Sequence, residues 1–241
     1  MMTLLDRERG RWRESSREGE MGGFSRGWVF GAVTGIAAVS AYRMAIRPWH
    51  LRWGATETEA SWQLPGDELV PEPKINATHA VTIDAPPEAV WPWIAQLGQG
   101  RGGFYSYDWL ENLMGLDIHS ADSVIPEHQQ IKEGDGIPLA PGGFDFPVVK
   151  VEPQRMLLLH GDTRDGSSPV PVKPGEYLNA SWLFLLDAAG RGGTRLVERF
   201  RADYDPGLVK GLVYGVFVEP GAFLMERKML LGIKERAEQL A

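Results

Sequence analysis

Hydrophobic and polar residues alternate along several short stretches of the chain and recur at helical spacing in others. The first alternating stretch is His79 to Asp84, in which Val81 and Ile83 share one face, and this pattern predicts a β-strand. A helix is predicted to follow from Pro86, because proline suits a first helical turn and Gly98 supplies an end. A strand that leads directly into a tryptophan-rich helix needs a broad apolar surface to cover that helix.

From Ser120 onward the pattern is that of an antiparallel sheet. Clusters of glycine, proline and aspartate separate the short apolar stretches, as expected where neighbouring strands are joined by turns. A short second helix is predicted before this region, from about Tyr107 to Met114. The six further strands are predicted near residues 123–125, 136–139, 146–152, 156–161, 179–187 and 194–204.

The chain ends in a long amphipathic helix, because apolar residues recur there at three- and four-residue spacing. These residues are Ala222, Met225, Met229, Ile233, Ala237 and Leu240. Helices segregated from an antiparallel sheet define an α+β fold. We predict a curved sheet of about seven strands around the C-terminal helix, with the two short helices closing one end.

Four regions are predicted along the chain. A densely charged, disordered tail covers residues 1–26, a membrane helix 27–47, an arm 48–76 and the α+β domain 77–241. Within the arm, Thr56 and Glu59 stand at capping-box spacing, which predicts a short helix.

The membrane prediction depends on an uncharged stretch of 16 residues, Gly27 to Tyr42. It reaches the length of about 20 residues that a bilayer needs only if Arg43 snorkels. A signal-peptide core and a packed soluble helix are the alternatives. Glycines at residues 27, 31 and 35 suit close helix pairing, and hence a homodimer through this helix. Arginines flank both ends, so the side of the membrane on which the domain lies is left open.

Composition excludes several classes of function. The formal net charge of −7 argues against a nucleic-acid binder, which needs a basic surface. The absence of cysteine excludes disulfides, thiolate catalysis and zinc–thiolate sites. The five histidines show no spacing typical of a metal site, so no metal is predicted.

Several of these stretches resemble those of a known superfamily. Residues 81–91 (Val-Thr-Ile-Asp-Ala-Pro-Pro-Glu-Ala-Val-Trp) match the entry strand and helix of the START/polyketide cyclase superfamily, often labelled SRPBCC. The Gly134-Asp135 turn, residues 149–153 and 194–196, and the final helix also match. The resemblance covers 77–241 and implies a helix-grip fold with a deep cavity for apolar molecules such as lipids, sterols or polyketides. Because the superfamily contains carriers, cyclases and dehydratases, it does not choose an activity.

The candidate acid or base is Glu198. It alternates with Leu196 and Phe200 in the last strand, so an inward Leu196 implies an inward carboxyl group. His160 is a second, weaker catalytic candidate. Each has a structural alternative: Glu198 could form an ion pair on the strand face, and His160 could be a hydrogen-bonded histidine of the core.

The predicted ligand-binding residues combine a cavity entrance with the apolar and polar groups of the cavity wall. They are Arg101, Tyr105, Tyr107, Trp109, Trp182, Glu198, Phe200, Met225 and Met229. Residues 98–103 satisfy the pattern G-x-G-x-x-G, but they follow a helix rather than a strand, so no nucleotide cofactor is predicted.

Three functions are therefore carried forward from the sequence. The first is membrane-tethered binding, or transport, of a hydrophobic small molecule or lipid in an internal cavity. The second is a cyclase- or dehydratase-like enzyme in which Glu198 or His160 moves protons. The third is an interaction module whose cavity is filled by its own side chains.

Overall fold

The computed structural model describes residues 34, 35, 37, 39–168, 170, 172–205, 215 and 218–241. Met1–Pro48 and Trp49–Ala241 form two compact units. The described part of the first unit is helical, with a π-helix at Tyr42–Ile46, and a short α-helix follows at Arg47–His50. Nine of the 21 residues of the membrane helix predicted for 27–47 lie outside this description. Among the described residues, no helix has the length and apolar character needed to cross a bilayer.

Within the described residues, the second unit contains six strands and, after His50, four α-helices. The strands are β1 (Ile75–Ile83), β2 (Gly136–Pro138), β3 (Asp145–Glu152), β4 (Met156–Asp162), β5 (Leu178–Ala189) and β6 (Gly193–Tyr204). The helices are the arm helix (Glu57–Ser61), the entry helix (Pro87–Ala95), the loop helix (Asp108–Leu113) and the C-terminal helix (Glu219–Leu240). Single 3₁₀ turns lie at Asp67–Leu69, Pro126–His128 and Gly190–Gly192.

The strands form one antiparallel sheet in the order β1-β6-β5-β4-β3-β2. Because side chains alternate across a strand, each strand contributes to two faces. On the inner face, Ile83, Phe184 and Leu196 belong to the same buried cluster as Leu230 and Ile233 of the C-terminal helix. The C-terminal helix therefore packs on the inner face, and the α+β class is confirmed.

The outer face of the sheet is covered by residues 49–74. A second apolar cluster forms there around Leu64, Leu158, Leu183 and Val197. The backbone carbonyls of Leu51 and Trp53 accept hydrogen bonds from the outer edge of β1, so this edge is protected from pairing with another chain. The sheet is consequently buried on both sides.

The prediction of about seven strands is wrong, since the sheet has six. The missing strand is the one predicted at Ser123 to Ile125. There the backbone bonds to a side chain instead of a neighbouring strand: the Ser123 carbonyl accepts from the amide of Gln96, and the Ile125 N–H donates to the same amide group. Gln96 is buried, so it takes the place that a strand partner would fill.

An ion pair joins the arm helix to the outer face. Thr56 and Glu59 form the predicted capping box, and both Glu59 oxygens accept from Arg195 of β6, at 2.7 and 2.8 Å. This hydrogen bonding with Arg195 outweighs the effect of burial and lowers the pKa of Glu59 to about 2.

A carboxyl group with a lowered pKa stabilises the fold above its ordinary pKa and loses that contribution as the pH falls towards the lowered value. We therefore expect Glu59→Gln, which keeps the capping box, to lower the free energy of unfolding by about 1–3 kcal/mol at pH 6. The difference from wild type should shrink between pH 5 and pH 2 in urea titrations. Glu57→Gln, on the exposed side of the same helix, is the control. A difference that does not change with pH would contradict the ion pair.

Candidate functional site

The strand register places a histidine opposite a glutamate on the inner face. In the β1–β6 pairing His79 faces Glu198, and their exposed fractions are 1% and 0%. His79 shares its face with Val81, and Glu198 shares its face with Leu196. Val81 and Leu196 belong to the buried apolar cluster between the inner face and the C-terminal helix, which we call the inner cluster. His79 Nδ1 lies 2.9 Å from Glu198 Oε2. A titratable pair is thus embedded in the apolar interior.

The C-terminal helix adds a second carboxyl group. Glu226 Oε2 lies 3.3 Å from the same Nδ1 atom of His79, and the Glu226 side chain is 16% exposed. Phe223, three residues earlier and hence on the same helix face, packs its ring 5.6 Å from the His79 ring. We call His79, Glu198 and Glu226 the inner triad.

Hydrogen bonds from outside the inner triad hold it in place. His79 Nε2 lies 2.9 Å from the backbone carbonyl of His50; since a carbonyl oxygen only accepts, this nitrogen carries hydrogen. The indole N–H of Trp182 donates to Glu198 Oε1 at 2.6 Å. Nδ1 of His79 is therefore the atom that faces both carboxyl groups, and a neutral imidazole would direct its lone pair at them.

The pKa shifts are consistent with this geometry. Burial works to lower the pKa of His79, but hydrogen bonds to Glu198 and Glu226 raise it to about 10. Burial and the charge of Glu198 raise the pKa of Glu226, although His79 acts in the opposite direction. Protons on His79 and Glu226 can therefore balance the buried charge.

The inner triad also has the composition of a metal site. One ligand atom from each residue lies within 4.8 Å of the other two. One imidazole nitrogen and two carboxylate oxygens suit a divalent transition metal.

A pocket of about 240 Å³ opens beside the inner triad, between the sheet and the C-terminal helix. Glu226 belongs to both the pocket wall and the inner triad. The lining residues are Phe104, Ser106, Glu111, Leu116, Leu139, Trp182, Ala222, Met225, Glu226 and Met229. The wall is thus mostly apolar, with two carboxyl groups.

Glu111 is the second carboxyl group of the pocket. It is 2% exposed, and its Oε2 atom has no hydrogen-bond partner among the described residues. Oε1 accepts from the hydroxyl of Ser106 at 2.8 Å. Burial raises the pKa of Glu111, the Ser106 bond opposes this, and the charge of Asp108 adds to it. A buried oxygen without a partner is costly, and a ligand group could satisfy it.

A larger hollow, of about 330 Å³, lies on the outer face between the arm and the sheet. Its two arginines are already engaged: Arg199 bonds Asp67 at 2.7 Å, and Arg201 bonds the carbonyl of Val70 at 2.8 Å. With these cations paired inside the protein, the inner pocket is the better candidate for a site.

The predicted ligand-binding residues fall into two groups. Trp182, Met225 and Met229 line the inner pocket, Glu198 contacts it through Trp182, and Phe200 packs against the inner cluster. Arg101 instead donates to the carbonyls of Leu97, Ala95 and His128.

The other predicted entrance residues also lie outside the pocket lining. Tyr105 is buried against Trp93, Tyr107 directly precedes the loop helix, and Trp109 is 69% exposed. His160, the second catalytic candidate, bonds the side-chain oxygen of Asn179 at 2.9 Å.

Three residues of this site were not singled out from the sequence. His79 is five residues before the Asp-Ala-Pro turn and bears no motif, but its position on the Val81 face of β1 was a usable signal. Glu226 interrupts the apolar stripe next to Met225, and Glu111 lies within the predicted loop helix. Their convergence depends on contacts distant in sequence.

Comparison with known proteins leaves the family open. No family model and no curated protein matches the chain. Among solved structures, protein MLL2253 from Mesorhizobium loti is 16% identical, with 69% of this chain and 98% of that chain covered and a TM-score of 0.42. Hypothetical protein jhp0584 from Helicobacter pylori is 12% identical, with coverages of 76% and 99% and a TM-score of 0.43. CalU16 from Micromonospora echinospora is 17% identical, with coverages of 68% and 84% and a TM-score of 0.31. Likenesses at this level transfer no function, which is argued below from the chain's own residues.

The bond between Trp182 and Glu198 gives a prediction about stability. Trp182→Phe removes the indole donor and leaves Glu198 Oε1 buried without this partner, so we expect a loss of about 1–3 kcal/mol in the free energy of unfolding. Trp109→Phe, at an exposed position, should change it by less than about 0.5 kcal/mol. Urea unfolding followed by circular dichroism measures both. Equal effects of the two substitutions would contradict the structural role of the bond.

Proposed function

We propose that the chain binds a small, largely apolar molecule in the pocket between its sheet and its C-terminal helix, as a helix-grip protein of the SRPBCC type. The observation that carries this proposal is the pocket itself: a wall of aromatic and methionine side chains that includes Glu111, whose buried Oε2 atom has no hydrogen-bond partner among the described residues. Apolar walls with a few placed polar groups are typical of small-molecule sites.

The size of the pocket limits the ligand class. Pockets for drug-sized molecules span about 300–1,000 Å³, and this one has about 240 Å³. A molecule of one or two rings, or one end of a longer lipid, suits it better than a whole sterol. Removing apolar surface from water supplies about 25 cal/mol per Å², so few polar contacts are needed for binding.

The polar group expected on the ligand is a hydroxyl or a carbonyl. Glu111 has a raised pKa and one oxygen without a partner, so it can donate to a carbonyl when protonated or accept from a hydroxyl when ionised. Proton transfer by Glu198 or His160 stays a prediction, as does a homodimer through residues 27–47.

Filling the pocket should abolish binding. We expect 2-naphthol, a two-ring phenol, to bind the wild-type protein saturably and Ala222→Trp to weaken this binding at least tenfold, because the new indole occupies the pocket. Leu224→Trp, an exposed position on the same helix, should leave the affinity within twofold. Isothermal titration calorimetry measures all three. The absence of saturable binding to the wild type, or equal affinity in Ala222→Trp, would refute the proposal.

The role of Glu111 is tested by comparing two ligands that differ by one hydroxyl. Wild-type protein should favour 2-naphthol over naphthalene by about fivefold, the equivalent of one hydrogen bond of about 1 kcal/mol. Glu111→Leu should remove this preference while naphthalene still binds. Glu88→Leu, which changes an exposed carboxylate, should keep it. A preference that persists in Glu111→Leu would mean that another group recognises the hydroxyl.

A further inference from the structure

The inner triad brings two carboxyl groups to one imidazole nitrogen. Glu198 and Glu226 both approach Nδ1 of His79, and within the described part of the chain the ion-pair partner of each is this histidine alone. Buried charges need compensation. Either protons or a metal cation must therefore supply positive charge at this position.

The distances suit a metal ion. Ligand bonds of about 2.0–2.2 Å place neighbouring ligand atoms about 3.3–3.5 Å apart in a tetrahedral site and about 2.9 Å apart in an octahedral one. Nδ1 of His79 lies 2.9 Å from Glu198 Oε2 and 3.3 Å from Glu226 Oε2. In a tetrahedral site the distance to Glu226 already fits and the distance between His79 and Glu198 must lengthen by a few tenths of an ångström, whereas in an octahedral site the distance to Glu226 must shorten.

The hydrogen bonds around the inner triad resemble those that orient the ligands of a metal site. A metal-bound histidine commonly donates its other N–H to a backbone carbonyl, and ligating carboxylates accept hydrogen bonds in turn. Here His79 Nε2 donates to the carbonyl of His50, and Glu198 accepts from the indole of Trp182. Phe223 covers the imidazole. These contacts leave Nδ1 and one oxygen of each glutamate within 4.8 Å of one another.

We propose that His79, Glu198 and Glu226 bind one divalent transition-metal ion, of which Zn²⁺ is the best match to one nitrogen and two carboxylate oxygens. Three protein ligands leave a coordination position open. Because Glu226 also lines the pocket, this position lies on the pocket side of the inner triad. The proposal does not depend on an organic ligand, so it can fail or succeed independently of the proposed function.

The test uses the full chain, stripped of metal with a chelator and titrated with Zn²⁺ in a calorimeter. We expect one equivalent to bind and Glu226→Gln to weaken binding at least tenfold. His119→Gln removes an exposed histidine paired with Asp117 and should leave the affinity within twofold. Zn²⁺ should also raise the melting temperature of the wild type more than that of Glu226→Gln. No binding, or equal affinity in wild type and Glu226→Gln, would overturn the proposal.

A measurement on the wild type alone covers the case in which Glu226→Gln does not fold. In ¹⁵N-detected spectra of the histidine rings, Zn²⁺ should shift the Nδ1 signal of His79 and leave that of His119 in place. An unchanged His79 signal at saturating Zn²⁺ would refute the site, and a shift confined to His119 would identify surface binding only.

Discussion

The arrangement of the inner face depends on balancing the charge of a largely buried group of titratable side chains. Two carboxyl groups and one imidazole meet between the sheet and the C-terminal helix, and two of the three are fully buried. Isolated charges in such a place are very costly. The β1–β6 register sets His79 opposite Glu198, the C-terminal helix brings Glu226 to His79, and Trp182 donates a hydrogen bond to Glu198. The inner triad forms only if all three elements are correctly placed.

The sheet that carries this site is buried on both faces. The outer face carries Arg195, Arg199 and Arg201, which alternate with the inner residues of β6. Their guanidinium groups bind glutamate, aspartate and backbone carbonyls of residues 54–70. An arrangement that broke one of these pairs would leave a charged group unpaired, which is costly. The outer pairs thereby fix β6, and with it the direction in which Glu198 points.

The strands and helices could be predicted largely from the sequence, because alternation and capping are local signals. Five of the six predicted later strands match observed ones to within about two residues, and the alternation of Leu196, Glu198 and Phe200 indicated an inner face. The wrongly predicted strand at 123–125 shows the limit of local evidence. Its backbone forms hydrogen bonds with Gln96, 29 positions away from Ile125, and a contact of this kind leaves no pattern in the local sequence.

The candidate site was harder to predict for the same physical reason. Nothing near His79 in sequence indicates that Glu198, 119 residues later, will face it, or that the terminal helix will turn Glu226 towards both. Arg101 shows that the partners of a loop side chain are equally hard to read from the sequence. It was predicted to line the cavity entrance, whereas its donors reach the carbonyls of Ala95, Leu97 and His128.

Glu226 belongs to both proposed sites. It forms part of the pocket wall and part of the inner triad, so whatever neutralises the triad also sets the charge of the wall. With a proton on Glu226 this part of the wall is neutral and suits an apolar guest. With a divalent ion the wall offers an open coordination position and favours a guest that carries an oxygen donor. Because coupling between two binding events is reciprocal, a guest that coordinates the ion would tighten ion binding by the same factor. Binding of an ion at the inner triad and of a guest in the pocket would therefore be coupled through Glu226.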